Sequence, residues 1–164
     1  MQRRWVWARS RENTLSTAVT TAQMVVVNTQ ATTKDEVVRE LGALLVAEGR
    51  VSELEGYVAA VKAREEHFPT GIEGGVAIPH AQTDLVTGAA VAVATSETGI
   101  DFGADDGPAH LIFLIAAPQS SENLHLEILA NLARRIMHEE FRDQLRAEKD
   151  PARIAEIISQ EVTP

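Results

Sequence analysis

The sequence predicts an α+β fold, a three-layer α/β/α sandwich with a small mixed central sheet. Two apolar runs, residues 89–95 and 111–117, read as strands so uniformly nonpolar that both faces of their sheet must be covered. Capped helical segments stand before and after them, in the order strand, two helices, about three strands, then two or three helices. No internal repeat, linker or second domain interrupts that order.

Each element has a local reason. Residues 24–28, Met-Val-Val-Val-Asn, are a short β-branched strand. Thr33 stands three residues before Glu36 as a capping box, and Val37, Leu41, Leu44 and Leu45 follow at helical spacing until Gly49 supplies a stop. Ser52 with Glu55 repeats the device, and Leu54, Val58 and Val61 mark the apolar face of a second helix ending near residues 64–66. Pro69, Gly71, Gly74 and Gly75 make the next segment a loop, with residues 76–78 a brief strand before Pro79. Gly99, Gly103, Gly107 and Pro108, with Asp101, Asp105 and Asp106, form a turn-rich acidic link between the two long strands. In the last third Ser121 caps a helix carrying Leu124, Ile128, Leu132 and Ile136, and a shorter piece carries Phe141 and Leu145. Asp150 followed by Pro151 then opens a final helix through Ile154, Ile157 and Ile158.

Composition removes whole classes of function. The chain has 164 residues, 15 Lys+Arg against 24 Asp+Glu for a net charge of −9, 4% aromatic residues and no cysteine. An acidic chain poor in aromatics does not build a nucleic-acid surface. Without cysteine there is no disulfide, no thiolate catalysis and no cysteine phosphocarrier. No segment approaches the roughly 20 apolar residues of a membrane helix, so no membrane insertion is expected. Residues 1–12 hold four Arg, one Glu and both Trp, which leaves 11 basic and 23 acidic residues, net −12, in the remainder. Residues 1–14 are accordingly expected to be a basic, disordered extension without the apolar core of a secretory signal, and residues 15–164 the domain.

The histidines are the candidates for chemistry. His67 and His138 lie in polar surroundings and read as surface residues, and His110 begins a strand, where a structural role is the better expectation. His80 differs: the run Gly71-Ile72-Glu73-Gly74-Gly75-Val76-Ala77-Ile78-Pro79-His80 sends a strand into a proline-fixed exit that presents the imidazole at the sheet edge. The bland alternative is a polar loop residue. His125 sits near the start of a helix, where unsatisfied N–H groups meet anions; its alternative is a partly buried histidine on an amphipathic face. Arg64 ends the second helix just before the glycine-rich loop. It serves either as a complement to the helix C-terminus or as a bidentate phosphate ligand beside His80. His80, His125 and a carboxylate are a conceivable metal set, but no close ligand spacing supports it. GxSxG, Walker and GxGxxG patterns are all missing, so neither a metal nor a cofactor is expected.

Three segments together resemble a known family: Arg64-Glu65-Glu66 leading to Thr70-Gly71-Ile72; Gly75-Val76-Ala77-Ile78-Pro79-His80-Ala81; and Asn123-Leu124-His125-Leu126-Glu127-Ile128-Leu129-Ala130-Asn131-Leu132-Ala133. Over about residues 15 to 161 the chain resembles the enzyme IIA domain of the fructose/mannitol class of the bacterial phosphoenolpyruvate-dependent sugar phosphotransferase system, a class related to the nitrogen-type IIA proteins. The resemblance implies that His80 accepts a phosphoryl group from phospho-HPr and passes it to a cysteine of a IIB component. It implies that His125 is the second active-site histidine, Arg64 the arginine preceding the glycine-rich loop, and Nε2 the phosphorylated nitrogen. It further implies a cytoplasmic location, separate IIB and membrane IIC components, and, as the alternative, a regulatory protein whose phosphorylation controls binding to other proteins. The basic head is not part of the resemblance.

Overall fold

The two apolar runs become the central strands of a six-stranded sheet, β5 (Ala90–Ile100) and β6 (Ala109–Pro118), paired antiparallel. The computed structural model describes residues 18–120 and 122–162, with the side chains of residues 122–126 and 162 excepted. The basic segment 1–14 and Ser121 lie outside the described residues.

Strand alternation sorts the side chains of β5 and β6 into two cores. Ala90, Ala92, Ala94, Ile112, Leu114 and Ala116 face one helical layer, built from α1 (Lys34–Ala47) and α2 (Leu54–His67). Val91, Val93, Leu111, Phe113 and Ile115 face the other, built from α3 (Glu122–Ile136), α4 (Glu139–Ala147) and α5 (Pro151–Val162). Helices on both faces of one sheet make the three-layer sandwich that the apolar strands predict.

The remaining strands make the sheet mixed. β1 (Val25–Val26) runs parallel to β5, while β3 (Val76–Ala77) and β4 (His80–Thr83) both run parallel to β6. β2 (Gly71–Ile72) pairs antiparallel with β3, giving the order β1-β5-β6-β3-β2 with β4 also on β6. β5 and β6 extend beyond the apolar runs, and an irregularity between Thr95 and Ile100 marks the end of regular pairing.

α1 and α5 take the caps that the sequence predicts, and α2 does not. Thr33 accepts the Glu36 N–H at 3.2 Å, Gly49 takes φ +73° after α1, and Asp150 accepts the Ala152 N–H at 3.0 Å ahead of α5. Ser52 is not the cap of α2. Its hydroxyl donates to the Leu85 carbonyl at 3.0 Å, and Glu53 takes the cap by accepting the Gly56 N–H at 2.9 Å. The long-range acceptor decides between two adjacent residues that are both able to cap. Among the described residues no helix is long and apolar enough to cross a membrane.

Tyr57, the single tyrosine, is fully buried on α2 and donates to the Ile115 carbonyl at 3.0 Å. Burial pushes its phenol well above the ordinary tyrosine range. The native state therefore keeps a proton that the unfolded chain loses near pH 10. Stability is present in full below that pH and falls as pH rises above it, by about 1.4 kcal/mol per pH unit. Tyrosinate absorbance is expected to appear only together with the loss of helical circular dichroism. Ionisation in the folded protein would contradict this burial.

Candidate functional site

The site is built where α2 ends and the sheet edge begins. Thr70 to Pro79 form a hairpin: Gly71 pairs with Ala77 and Ile72 with Val76, and the Ile78 N–H donates to the Thr70 carbonyl at 3.2 Å. Gly71 is packed so closely that a Cβ there would stand 2.6 Å from the Phe102 carbonyl oxygen, to which the Gly71 N–H donates at 3.1 Å. No side chain fits that approach.

Pro79 interrupts the edge strand because it has no N–H to donate, and its carbonyl accepts from the Ile115 N–H at 3.0 Å. The chain then re-joins β6 as β4, whose first residue is His80, in register with Ile115. His80 is thus a strand residue at the sheet edge, half-buried, not a loop residue. Tyr57 grips the Ile115 carbonyl from beneath.

The imidazole has a defined proton. His80 Nδ1 lies 2.8 Å from the Ile78 carbonyl oxygen. A carbonyl only accepts, so Nδ1 is the protonated nitrogen and the lone pair of the neutral ring belongs to Nε2. The Ile78 carbonyl thus selects the tautomer with the proton on Nδ1.

Arg64 lies in the last turn of α2, half-buried, with Nη1 donating to the Phe68 carbonyl at 3.0 Å. One N–H of its fork closes the helix end, and α2 packs against β4. His125 falls in the first turn of α3 by its backbone, and its side chain lies outside the described residues. His67 and His138 are exposed. His110 is half-buried with Nδ1 2.8 Å from the Ser96 carbonyl, in a cleft of about 630 Å³ shared with Asn28, Arg146 and Lys149. That cleft is five residues along β6 from the partner of His80, about 16 Å at strand rise, so it is not the His80 site. Among the described residues no cluster of three or more His, Cys, Asp or Glu side chains could hold a metal.

Glu65 and Thr70 are partners that pattern reading passed over. Glu65 is 6% exposed, accepts the Thr70 N–H at 3.0 Å and the Thr70 hydroxyl, and pairs with Lys34 at 3.4 Å. Its signal was present: Tyr57, Val61 and Glu65 fall four residues apart on one helix face, and a carboxylate on a buried stripe needs a partner.

The fold and this edge site define an α/β/α sandwich domain that carries a half-buried histidine at its sheet edge. The family model described as "Phosphoenolpyruvate-dependent sugar phosphotransferase system, EIIA 2" matches residues 18–161, and the chain belongs to that family. The fructose-specific EIIABC component of Bacillus subtilis is 37% identical over 145 residues, 88% of this chain and 23% of that protein, so the chain spans about a quarter of that relative. The fructose-specific EIIA component of Haloferax volcanii is 35% identical over 145 residues, 88% of this chain and 94% of that protein. In structure the chain is similar to the nitrogen regulatory protein IIA-Ntr of Neisseria meningitidis, with TM-score 0.79 and 29% identity over 88% of this chain and 99% of that one.

Proposed function

We propose that the chain is a phosphoryl carrier for a fructose-type sugar transporter, working in the cytoplasm between phospho-HPr and a IIB component. The observation that carries this reading is the His80 imidazole with its proton committed to Ile78. The Nε2 lone pair attacks the phosphorus of the donor phosphohistidine; the N–P bond to the donor breaks as the bond to Nε2 forms. Nδ1 keeps its proton throughout on the Ile78 carbonyl. A IIB cysteine thiolate then attacks the same phosphorus, and the pair returns to Nε2. Arg64, through its remaining N–H groups, and His125 are assigned to the negative charge of the transferred group. A site at a sheet edge suits this task, since two partners must reach the same nitrogen in turn.

The likeness to a nitrogen regulatory protein supports a second reading, in which His80 phosphorylation switches binding to other proteins. One experiment separates the two. Incubation with phosphoenolpyruvate, enzyme I and HPr is expected to add one acid-labile phosphate per chain, which then moves to the cysteine of a fructose-type IIB. Labelling without transfer to IIB, together with phosphorylation-dependent capture of a target, would establish the regulatory reading. Absence of labelling would overturn both.

A further inference from the structure

We infer that Glu65 is a positioning residue for His80, acting through Thr70 and Ile78. Resting on the carrier reading for its consequence, the inference stands on three contacts in series. The Glu65 carboxylate accepts the Thr70 N–H at 3.0 Å, the Thr70 carbonyl accepts the Ile78 N–H at 3.2 Å, and the Ile78 carbonyl accepts the His80 Nδ1–H at 2.8 Å. The first link joins helix α2 to the hairpin, the second crosses the hairpin, and the third fixes the ring.

Each link matters because the next has no substitute on its own strand. Pro79 has no N–H, so the Thr70–Ile78 bond is the last backbone donation by this strand before the histidine. The Thr70 carbonyl fixes Ile78 from the hairpin side, as the Pro79 carbonyl's bond to the Ile115 N–H fixes it from β6, and the Ile78 carbonyl in turn holds the Nδ1 proton. Thr70 is itself 5% exposed and gives both its donors, amide and hydroxyl, to Glu65. An apolar residue at position 65 would continue the stripe of Tyr57 and Val61 without the cost of desolvating a carboxylate. Two of the three polar contacts of Glu65 go to Thr70, and the third goes to Lys34. A second anchor on the same corner, Gly71 N–H to the Phe102 carbonyl, holds the strand start, and Glu65 holds the residue before it.

The test is Glu65→Gln in the full chain. The side-chain amide keeps the shape but puts an NH2 group in place of one of the two carboxylate oxygens to which the Thr70 amide and hydroxyl donate, so the hydroxyl must turn and accept, and both charge-assisted bonds become weaker neutral ones. The ¹⁵N shifts of His80 are expected to move from a ring protonated on Nδ1 toward a mixture of tautomers, and the initial rate of phosphorylation by phospho-HPr to fall about tenfold. Lys34→Gln is the control: it removes the ion pair but leaves both Thr70 contacts, so it lowers thermal stability without shifting the His80 tautomer. Thr70→Val removes the hydroxyl link alone and gives a smaller shift in the same direction; it carries the test where Glu65→Gln does not fold. Unchanged His80 shifts in both Glu65→Gln and Thr70→Val, or an equal shift in Lys34→Gln, would overturn the inference. The NMR arms need no phosphate. A wild-type protein that takes none from HPr would therefore overturn the carrier reading alone and leave the positioning of the ring still decided.

Discussion

Replacing His80 with alanine is expected to abolish phosphorylation by phospho-HPr, lowering the rate by about 10³-fold or more, while the protein stays folded. The large effect follows from His80 being the nucleophile of the proposed transfer, with His125 assigned to the charge of the transferred group and no other nucleophile beside it among the described residues. The chain has no cysteine. His67 and His138 are exposed on helix ends, and His110 stands at the far end of β6. The small structural effect follows from how position 80 is held. Its backbone is fixed by the β4–β6 ladder, which alanine preserves, and the hydrogen bond that the side chain makes to Ile78 is worth only about 1 kcal/mol. Acid-labile phosphate is measured by mass and by radiolabel, alongside thermal unfolding. Wild-type labelling of His80→Ala would remove the acceptor role from this residue.

The largest expected loss of stability is Phe113→Ala, at about 3 to 5 kcal/mol. Phe113 is fully buried on the central strand β6, opposite Val93, and packs into the core shared with α3, α4 and α5. Truncation removes the ring's transfer energy and leaves a cavity that three helices and a strand pair cannot close without moving together. Against a total stability of about 5–15 kcal/mol for a domain, that is a large fraction. A urea midpoint that falls by less than about 1 kcal/mol equivalent would show that this layer repacks freely.

What the sequence made legible was whatever is decided within a few residues. Thr33 with Glu36, Gly49, and Asp150 with Pro151 bound their helices because caps are local, and the uniform apolarity of β5 and β6 announced a covered sheet. Ser52 misled because its hydroxyl was claimed by Leu85, 33 residues away. β2 and β4, of two and four residues, carry no periodicity of their own; they are strands because β3 and β6 lie beside them. At the site, Pro79 and the glycines pointed to His80, and helix-end positions made Arg64 and His125 candidates to which the resemblance gave roles. Glu65 reads as one of four successive polar residues, Arg64 to His67, and its spacing from Tyr57 and Val61 is the signal that it is the one turned inward.

The two faces of the sheet differ in the size of what they present. Toward α1 and α2 the strands offer mostly alanine, Ala77, Ala81, Ala90, Ala92, Ala94 and Ala116 beside Ile100, Ile112 and Leu114, whereas toward α3, α4 and α5 they offer valine, leucine, isoleucine and phenylalanine. The protein is therefore intolerant in opposite senses on its two sides: one layer has no room for a side chain to grow, the other suffers when one shrinks. The layer with no room is the one whose helix ends in Arg64 and Glu65. Sequence drift on the alanine face is thus constrained by function as well as by packing, since each added methyl would lift the helix that frames the His80 edge.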